Sequence, residues 1–165
     1  MANRAEGKVS LTPIVTVGPS GDYDAHDVLH NDVDQILSGT LIYNIVNAND
    51  RWFYSKTTDI SSNANLISGN FSDAAVAIAS ADIVKFLFIY NTGTSDGSDV
   101  NAQNIYLTFD GGDPVAQNDS VLIGFGESFI IKPKACTIDN LHAMSASGTV
   151  RCTVMAIIDD TSGSD

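Results

Sequence analysis

A polar segment between two apolar runs holds the side chains best suited to binding a cation. The segment NTGTSDGSDVNAQ spans residues 91–103, and it brings Asp96 and Asp99 close in sequence to Asn101 and Asn104. Carboxylate and amide oxygens are the ligands that calcium prefers in proteins. The segment therefore raises the question of a calcium site.

The spacing within this segment does not fit an EF-hand, which needs oxygen ligands at positions 1, 3 and 5 and glycine at position 6. Counting from Asp96, position 5 is Val100 and position 6 is Asn101. Two interpretations stay open. One is an irregular calcium site near Asp96 and Asp99 that shares a further loop, and the other is a solvated connection between two strands.

His26, His30 and Asp34 form a second group with metal-ligand spacing. On a helix their four-residue intervals would place all three on one face, whereas on a strand the histidines would lie too far apart to chelate together. The HExxH pattern is absent and no cysteine lies nearby. Histidines without a metal are the favoured interpretation, so we predict no metal ligands here.

The sequence offers no recognisable catalytic constellation. His142 has no serine in a GxSxG setting, and the two glutamates, Glu6 and Glu127, are far apart in the chain. No GxGxxG, phosphate-binding loop or CxxC motif occurs. We therefore predict a protein that is not an enzyme, with no catalytic residues and no bound cofactor.

The composition is acidic, with 20 Asp and Glu residues against 8 Lys and Arg residues in 165, a net charge of −12. This charge repels nucleic acid, which we exclude as a partner. No apolar run is long enough to cross a membrane, and the start MANRAEGKVSLTP has no apolar region, so we expect no secretory signal. Cys136 and Cys152 fall in neighbouring predicted strands, where they are either buried thiols of a protein made in a reducing cytoplasm or a facing pair.

Hydrophobic residues alternate with polar ones along most of the chain, which is typical of strands with one face in a core. Val150, Cys152, Val154 and Ala156 illustrate the pattern, since they share one predicted face. Turn residues separate the runs, and many short strands at this spacing predict an all-β, antiparallel, jelly-roll-like sandwich. The predicted strands lie near residues 8–17, 26–30, 33–37, 40–47, 51–57, 83–90, 104–109, 120–125, 127–132, 136–144 and 149–158.

We expect one domain at 21–159, preceded at 1–20 by an extended N-terminal arm with the first strand and followed at 160–165 by a disordered tail. Two segments fit either a helix or a strand. These are 25–37, where we favour strands because the surrounding chain is β, and 72–82.

Two apolar features exceed what one core needs. The run IVKFLFIY places Phe86, Phe88 and Tyr90 on one face while its other face is also apolar, which indicates a central strand or a second face that meets a partner chain. Trp52 and Tyr54 share a face next to Arg51, where they either pack in the core or form a protein interface or a sugar-stacking platform.

Several segments together resemble small virion structural proteins of marine tailed phages, over about residues 22–158. The segments that carry the resemblance are DYDAHDVLHND, TLIYNIVNAND, FLFIYNTGTSDGS, IYLTFDGG, IGFGESFIIKP and LHAMSASGTVRCTVMAIIDD. The similarity is a pattern of strands and turns that includes no catalytic motif.

The resemblance implies a capsid decoration (cement) protein that binds the major capsid protein on the virion surface and forms a homo-oligomer, with a trimer expected. Its predicted interface combines arm residues with the apolar features: Arg4, Lys8, Leu11, Trp52, Tyr54, Phe86 and Phe88. The alternative function is a carbohydrate- or receptor-binding module of a tail fibre or head surface.

Overall fold

A computed structural model describes residues 4–10, 38–45, 47–93, 103–114 and 120–162. These residues form an all-β structure without an α-helix, and one 3-10 turn occurs at Ile138–Asn140. The strands are β1 (Arg4–Ser10), β2 (Ser38–Asn44), β3 (Asp50–Ile60), β4 (Ala64–Asn65), β5 (Ile83–Asn91), β6 (Ile105–Thr108), β7 (Val121–Ile123), β8 (Ser128–Ile131), β9 (Cys136–Thr137), β10 (His142–Ser145) and β11 (Val150–Asp159).

The strands pair into three antiparallel sheets. The five-stranded sheet has the order β3-β11-β5-β8, with β9 paired to the beginning of β5, and the four-stranded sheet has the order β4-β10-β6-β7. Strands β1 and β2 form a separate two-stranded sheet, here called the ribbon. The all-β antiparallel prediction is therefore confirmed, whereas the jelly-roll strand order and the N-terminal arm stay predictions.

The main core lies between the five-stranded and four-stranded sheets. Alternate residues of β5 and β11 point into it and are almost fully buried, as are Ile105 and Leu107 of β6. This arrangement follows from the two-residue period of the sequence, because successive side chains of a strand point to opposite faces. The inward-pointing residues of the two long strands are Val84, Leu87, Ile89, Val150, Cys152, Val154, Ala156 and Ile158.

Most of the predicted strands correspond to an observed one. The exceptions are instructive: the strand predicted at 136–144 is broken by the 3-10 turn Ile138–Asn140, and the first strand begins at Arg4 instead of residue 8. The strands predicted at 26–30 and 33–37, and with them the segment 25–37, lie outside the described residues.

The segment 72–82 forms no helix, although it is rich in alanine. Its backbone makes turns and a bridge between Asn70 and Ala77. Ser72 instead lies along the edge of β3, where its N–H donates to the Trp52 carbonyl at 2.7 Å and its Oγ accepts from the Tyr54 N–H at 2.8 Å. Tertiary hydrogen bonds to an open strand edge thus outweigh the weak helix propensity of a short segment.

The ordered chain continues beyond residue 159, where we expected a disordered tail to begin. Asp160 is buried, and its Oδ1 accepts from the Ser162 N–H at 3.0 Å. The N–H and Oγ1 of Thr161 both donate to buried Asp82 at 2.9 Å. These hydrogen bonds fix residues 160–162 against the sandwich, which their polar composition did not indicate.

Candidate functional site

The outer face of the five-stranded sheet, which points away from the main core, carries three of the predicted interface residues: Trp52, Phe86 and Phe88. It is completed by Ile130, Met155 and Ile157. The ribbon covers this outer face, since Ala5, Phe86 and Ile157 form a second buried cluster. Phe86 is only 2% exposed, so its burial is supplied by its own chain.

Gly7 sets how closely the ribbon approaches the sheet. A Cβ atom at Gly7 would overlap Cδ1 of Ile130 and lie 3.1 Å from its Cγ1. A glycine at this position lets β1 lie against the sheet without displacing Ile130. The sequence alone gave no sign of this contact, because a single glycine in a strand has many structural causes.

Lys132 and Asp50 hold the other strand of the ribbon. The Lys132 Nζ donates to the Ile42 carbonyl at 2.8 Å and lies 5.8 Å from the centre of the Tyr43 ring. The Tyr43 hydroxyl donates to the two carboxylate oxygens of Asp50 at 3.0 and 3.2 Å. These polar contacts of β2 add to the packing of Leu41 and Tyr43 against the second buried cluster.

The pKa of Tyr43 reflects this position. Burial, the hydrogen bond to Asp50 and the negative charges of Asp50 and Asp159 raise its pKa from 10.0 to about 12. Each of these causes disfavours a phenolate at this position. The ribbon attachment is consequently sensitive to alkaline pH.

A cleft of about 290 Å³ remains between the ribbon and the sheet. Lys8 and Glu6 of β1 lie on one side of it, and Phe86 and Phe88 lie on the other. An apolar floor with a charged rim is typical of a surface that accepts an apolar side chain of a partner. The cleft unites Lys8, Phe86 and Phe88, which are separate in the sequence.

The remaining predicted interface residues are placed differently. Arg4 is exposed and forms an ion pair with Glu6 at 2.8 Å. Tyr54 is 50% exposed on edge strand β3 and lies outside the ribbon cluster. Leu11 lies outside the described residues.

Buried Asn91 organises the loop end of the sandwich, where the polar segment 91–103 begins. Its Nδ2 donates to the carbonyls of Gln103 and Ile123 at 2.9 and 3.1 Å, and its Oδ1 accepts from the Gly93 N–H at 2.8 Å. One side chain thus ties together the two ends of the loop and the end of β7. Asn104, named with the loop oxygens, lies at this same end, whereas Asp96, Asp99 and Asn101 lie outside the described residues.

An acidic cluster surrounds the beginnings of β3 and β5, but its carboxylates have protein partners. The Asp159 carboxylate pairs with Lys85 Nζ at 3.0 Å, and Asp160 lies 3.7 Å from Arg51 Nε. Asp82 accepts from the Ala79 N–H at 2.8 Å as well as from Thr161. Within the described part of the chain, no group of three or more His, Cys, Asp or Glu side chains is arranged to hold a metal ion.

The other candidates for chemistry have structural contacts. His142 Nδ1 lies 2.9 Å from Asn63 Oδ1, and Glu127 Oε2 accepts from the Gly124 N–H at 2.7 Å within a turn. His26, His30 and Asp34 lie outside the described residues.

The two cysteines border the same strand at opposite ends. Cys136 pairs with Val84 near the start of β5, and Cys152 pairs with Asn91 at its end. Seven residues of a strand span roughly 20 Å, which excludes a disulfide between them. Burial raises the pKa of Cys136 to about 11, and burial together with the charge of Asp59 raises that of Cys152 to about 12, so both thiols stay protonated at neutral pH.

The comparisons with known proteins add no family: no protein-family model, curated protein or solved structure matches the chain. No helix among the described residues is long and apolar enough to cross a membrane.

Proposed function

We propose that the protein is a non-enzymatic virion structural protein, a capsid decoration protein that binds the major capsid lattice and stabilises the head. The resemblance of its strand and turn motifs to small virion proteins of tailed phages first suggests this role. The observation that carries the proposal is the ribbon, which forms an additional layer on an apolar sheet face that already belongs to a complete sandwich.

The strand edges of the ribbon support a role in contact with another chain. Within the described residues, β1 pairs only with β2, so β1 presents one edge without a strand partner. Such an edge is a template for pairing with a strand of another protein. Exposed Arg4 and Lys8 lie on this strand and bring positive charge to an acidic protein.

The cleft beneath the ribbon offers a second type of contact. Phe86, Phe88 and Met155 line it, and these side chains suit an apolar anchor from a capsid subunit or a neighbouring copy. The proposed mechanism combines backbone pairing at the β1 edge with an anchor in this cleft. Repetition of the contact around a local symmetry axis gives the expected homotrimer.

The decisive experiment mixes purified protein with phage heads that lack it and measures co-sedimentation and the thermal stability of the heads. Binding that raises the temperature of head disruption is the expected result. The double charge reversal Arg4→Glu and Lys8→Glu should weaken binding at least about tenfold, because it opposes the contact on the β1 strand. Lys56→Glu, on exposed β3, is the matched control and should bind like the wild type.

Heads that neither bind the protein nor gain thermal stability would refute the proposal. Light scattering coupled to size exclusion tests the oligomer separately. A mass three times that of the chain supports a trimer formed before capsid binding, whereas a monomer that binds heads restricts the oligomer to the lattice.

A further inference from the structure

A groove of about 330 Å³ opens at the edge of the sandwich, between β3 and the segment around β4. It continues into a smaller pocket of about 90 Å³ that shares Thr58, Asp59, Asn65 and Leu66 with it. The groove lies away from the ribbon and shares no residue with the cleft beneath it. Nothing in the proposed capsid contact uses this groove.

An irregularity in β3 shapes the groove. The pairing of β3 with β11 shifts register between Val154, opposite Ser55, and Cys152, opposite Thr58. Lys56 and Thr57 together lie opposite the single residue Thr153, so β3 contains one extra residue and bulges here. Bulges of this kind redirect side chains and are frequent beside functional sites.

The lining of the groove is rich in groups that both donate and accept hydrogen bonds. Hydroxyl groups come from Ser55, Thr57, Thr58 and Ser68, and an amide comes from Asn65. A hydroxyl group can rotate to donate or to accept a hydrogen bond, and a side-chain amide donates through its NH2 group and accepts through its carbonyl oxygen. These groups match a ligand that itself presents many hydroxyls.

An apolar base lies beneath these polar groups, provided by Phe53 and Leu66, which are both buried. A polar wall above an apolar base suits a sugar ring, which has hydroxyls around its rim and apolar C–H groups on its faces.

The charge of the groove argues for a neutral ligand. Asp59 is the one charged side chain among the described residues that line the larger groove, and its carboxylate forms two hydrogen bonds with Arg151, at 2.9 and 3.1 Å. This pairing compensates its charge and fixes its orientation. The net charge of −12 opposes anionic ligands in addition.

We propose that this groove binds a neutral oligosaccharide, with Thr58, Asp59 and Asn65 as its hydrogen-bonding residues. The site lies on edge strand β3 and is distinct from the exposed aromatic Tyr54. A glycan contact at this edge would give the protein a recognition function that is compatible with, and independent of, capsid binding.

The test screens the purified chain against an array of neutral oligosaccharides, including gluco-, manno- and chito-oligosaccharides, and measures the strongest hit by calorimetry. Binding with a Kd of about 1 mM or tighter is expected for a shallow groove of this size. Thr58→Val and Asn65→Ala should each weaken the affinity about three- to tenfold, because each removes a hydrogen-bonding group from the lining.

Thr40→Val is the matched control, since it makes the same substitution at an exposed position of β2 in the ribbon, away from the groove, and it should bind like the wild type. An array without a hit overturns the inference. Losses as large in Thr40→Val as in Thr58→Val overturn it as well. So does binding that is abolished by Tyr54→Ala but unchanged in Thr58→Val and Asn65→Ala. Because the assay contains no phage heads, its outcome is separate from that of the capsid experiment.

Discussion

The inner face of the five-stranded sheet packs against the four-stranded sheet, whereas its outer face packs against the two-stranded ribbon. Neighbouring residues of β5 serve the two faces alternately. Leu87 and Ile89 point inward and are fully buried, while Phe86 is buried and Phe88 only half-buried on the outside. A cleft of about 290 Å³ separates the ribbon from part of the outer face, next to Phe86 and Phe88.

This difference indicates two levels of stability in one chain. Burial of apolar surface stabilises by about 25 cal/mol per Å², so the continuous inner core supplies most of the folding free energy. The ribbon buries less and depends on a few contacts at Gly7, Tyr43 and Lys132. Segments with few buried contacts open at a lower free energy than the core, which suits a surface that exchanges its own strand contacts for those of a partner.

The largest expected contrast comes from truncating adjacent residues of β5. Leu87→Ala should lower the free energy of unfolding by about 2–5 kcal/mol, because it leaves a cavity in the main core. Phe88→Ala should cost only about 1–2 kcal/mol, because its side chain is half-buried beside the cleft. Urea denaturation of both variants measures the difference. Equal losses would mean that the ribbon packs as tightly as the core.

Asn91 tests the polar end of the inner face. Asn91→Ala should cost about 2–3 kcal/mol, because it removes three hydrogen bonds and leaves buried backbone groups without partners. Hydrogen exchange should show the loss of protection concentrated around residues 91–93 and at Ile123. Exposed Asn70→Ala is the control and should stay within about 0.5 kcal/mol of the wild type. A loss spread evenly over the sandwich would contradict an anchoring role for Asn91.

The comparison of the two faces also shows what the sequence could predict. The alternation in β5 and β11 correctly assigned Leu87, Ile89 and the inward residues of β11 to one face, because a two-residue period is a local property of a strand. It also indicated that β5 is a central strand or has a second face that meets a partner chain, and β5 lies inside the strand order of its sheet. It did not identify the ribbon that covers the outer face, because the β1–β2 pairing joins residues 4–10 to 38–44 across a long sequence separation.

The candidate site was less predictable for the same reason. Phe86, Phe88 and Lys8 were each named from composition or alternation, yet only the docking of the ribbon brings them to one cleft. The groove at β3 depends on a register shift between Cys152 and Val154, which leaves no local signature in the sequence. The alternation of residues within a strand predicts which sheet face each side chain lies on. The cleft and the groove depend on the pairing of strands that are distant in the sequence.

A smaller effect is expected where the ribbon touches the sheet most closely. Gly7→Ala should cost about 1–2 kcal/mol of ribbon stability, because its Cβ overlaps Ile130 Cδ1, the flexible end of that side chain. The added substitution Ile130→Val removes that atom and should restore part of the loss. Hydrogen exchange of β1 and β2 measures ribbon opening separately from global unfolding. If Ile130→Val brought no recovery in the Gly7→Ala background, the contact would not be the cause.

The smallest effect at neutral pH is expected at the polar attachment of β2, and its pH dependence distinguishes it from the packing contacts. Tyr43→Phe should cost about 1 kcal/mol near pH 7, since it removes a partly exposed hydrogen bond to Asp50. The folded state raises the Tyr43 pKa from 10.0 to about 12, so the stabilisation by the Tyr43 hydroxyl is complete below pH 10 and is lost as the pH rises towards 12.

The raised pKa values of Cys136 and Cys152 also lower the stability of the protein at alkaline pH. This effect is the same in the wild type and in Tyr43→Phe, so it does not contribute to the difference between them. Trp52, the only tryptophan and a neighbour of the ribbon cluster, reports docking by its fluorescence. The stability advantage of the wild type over Tyr43→Phe should shrink above pH 10 and be lost or reversed by pH 12. Tyr54→Phe is the control and should keep the pH dependence of the wild type. An advantage that is equal at pH 7 and pH 12 would exclude Tyr43 as the pH-sensitive attachment of the ribbon.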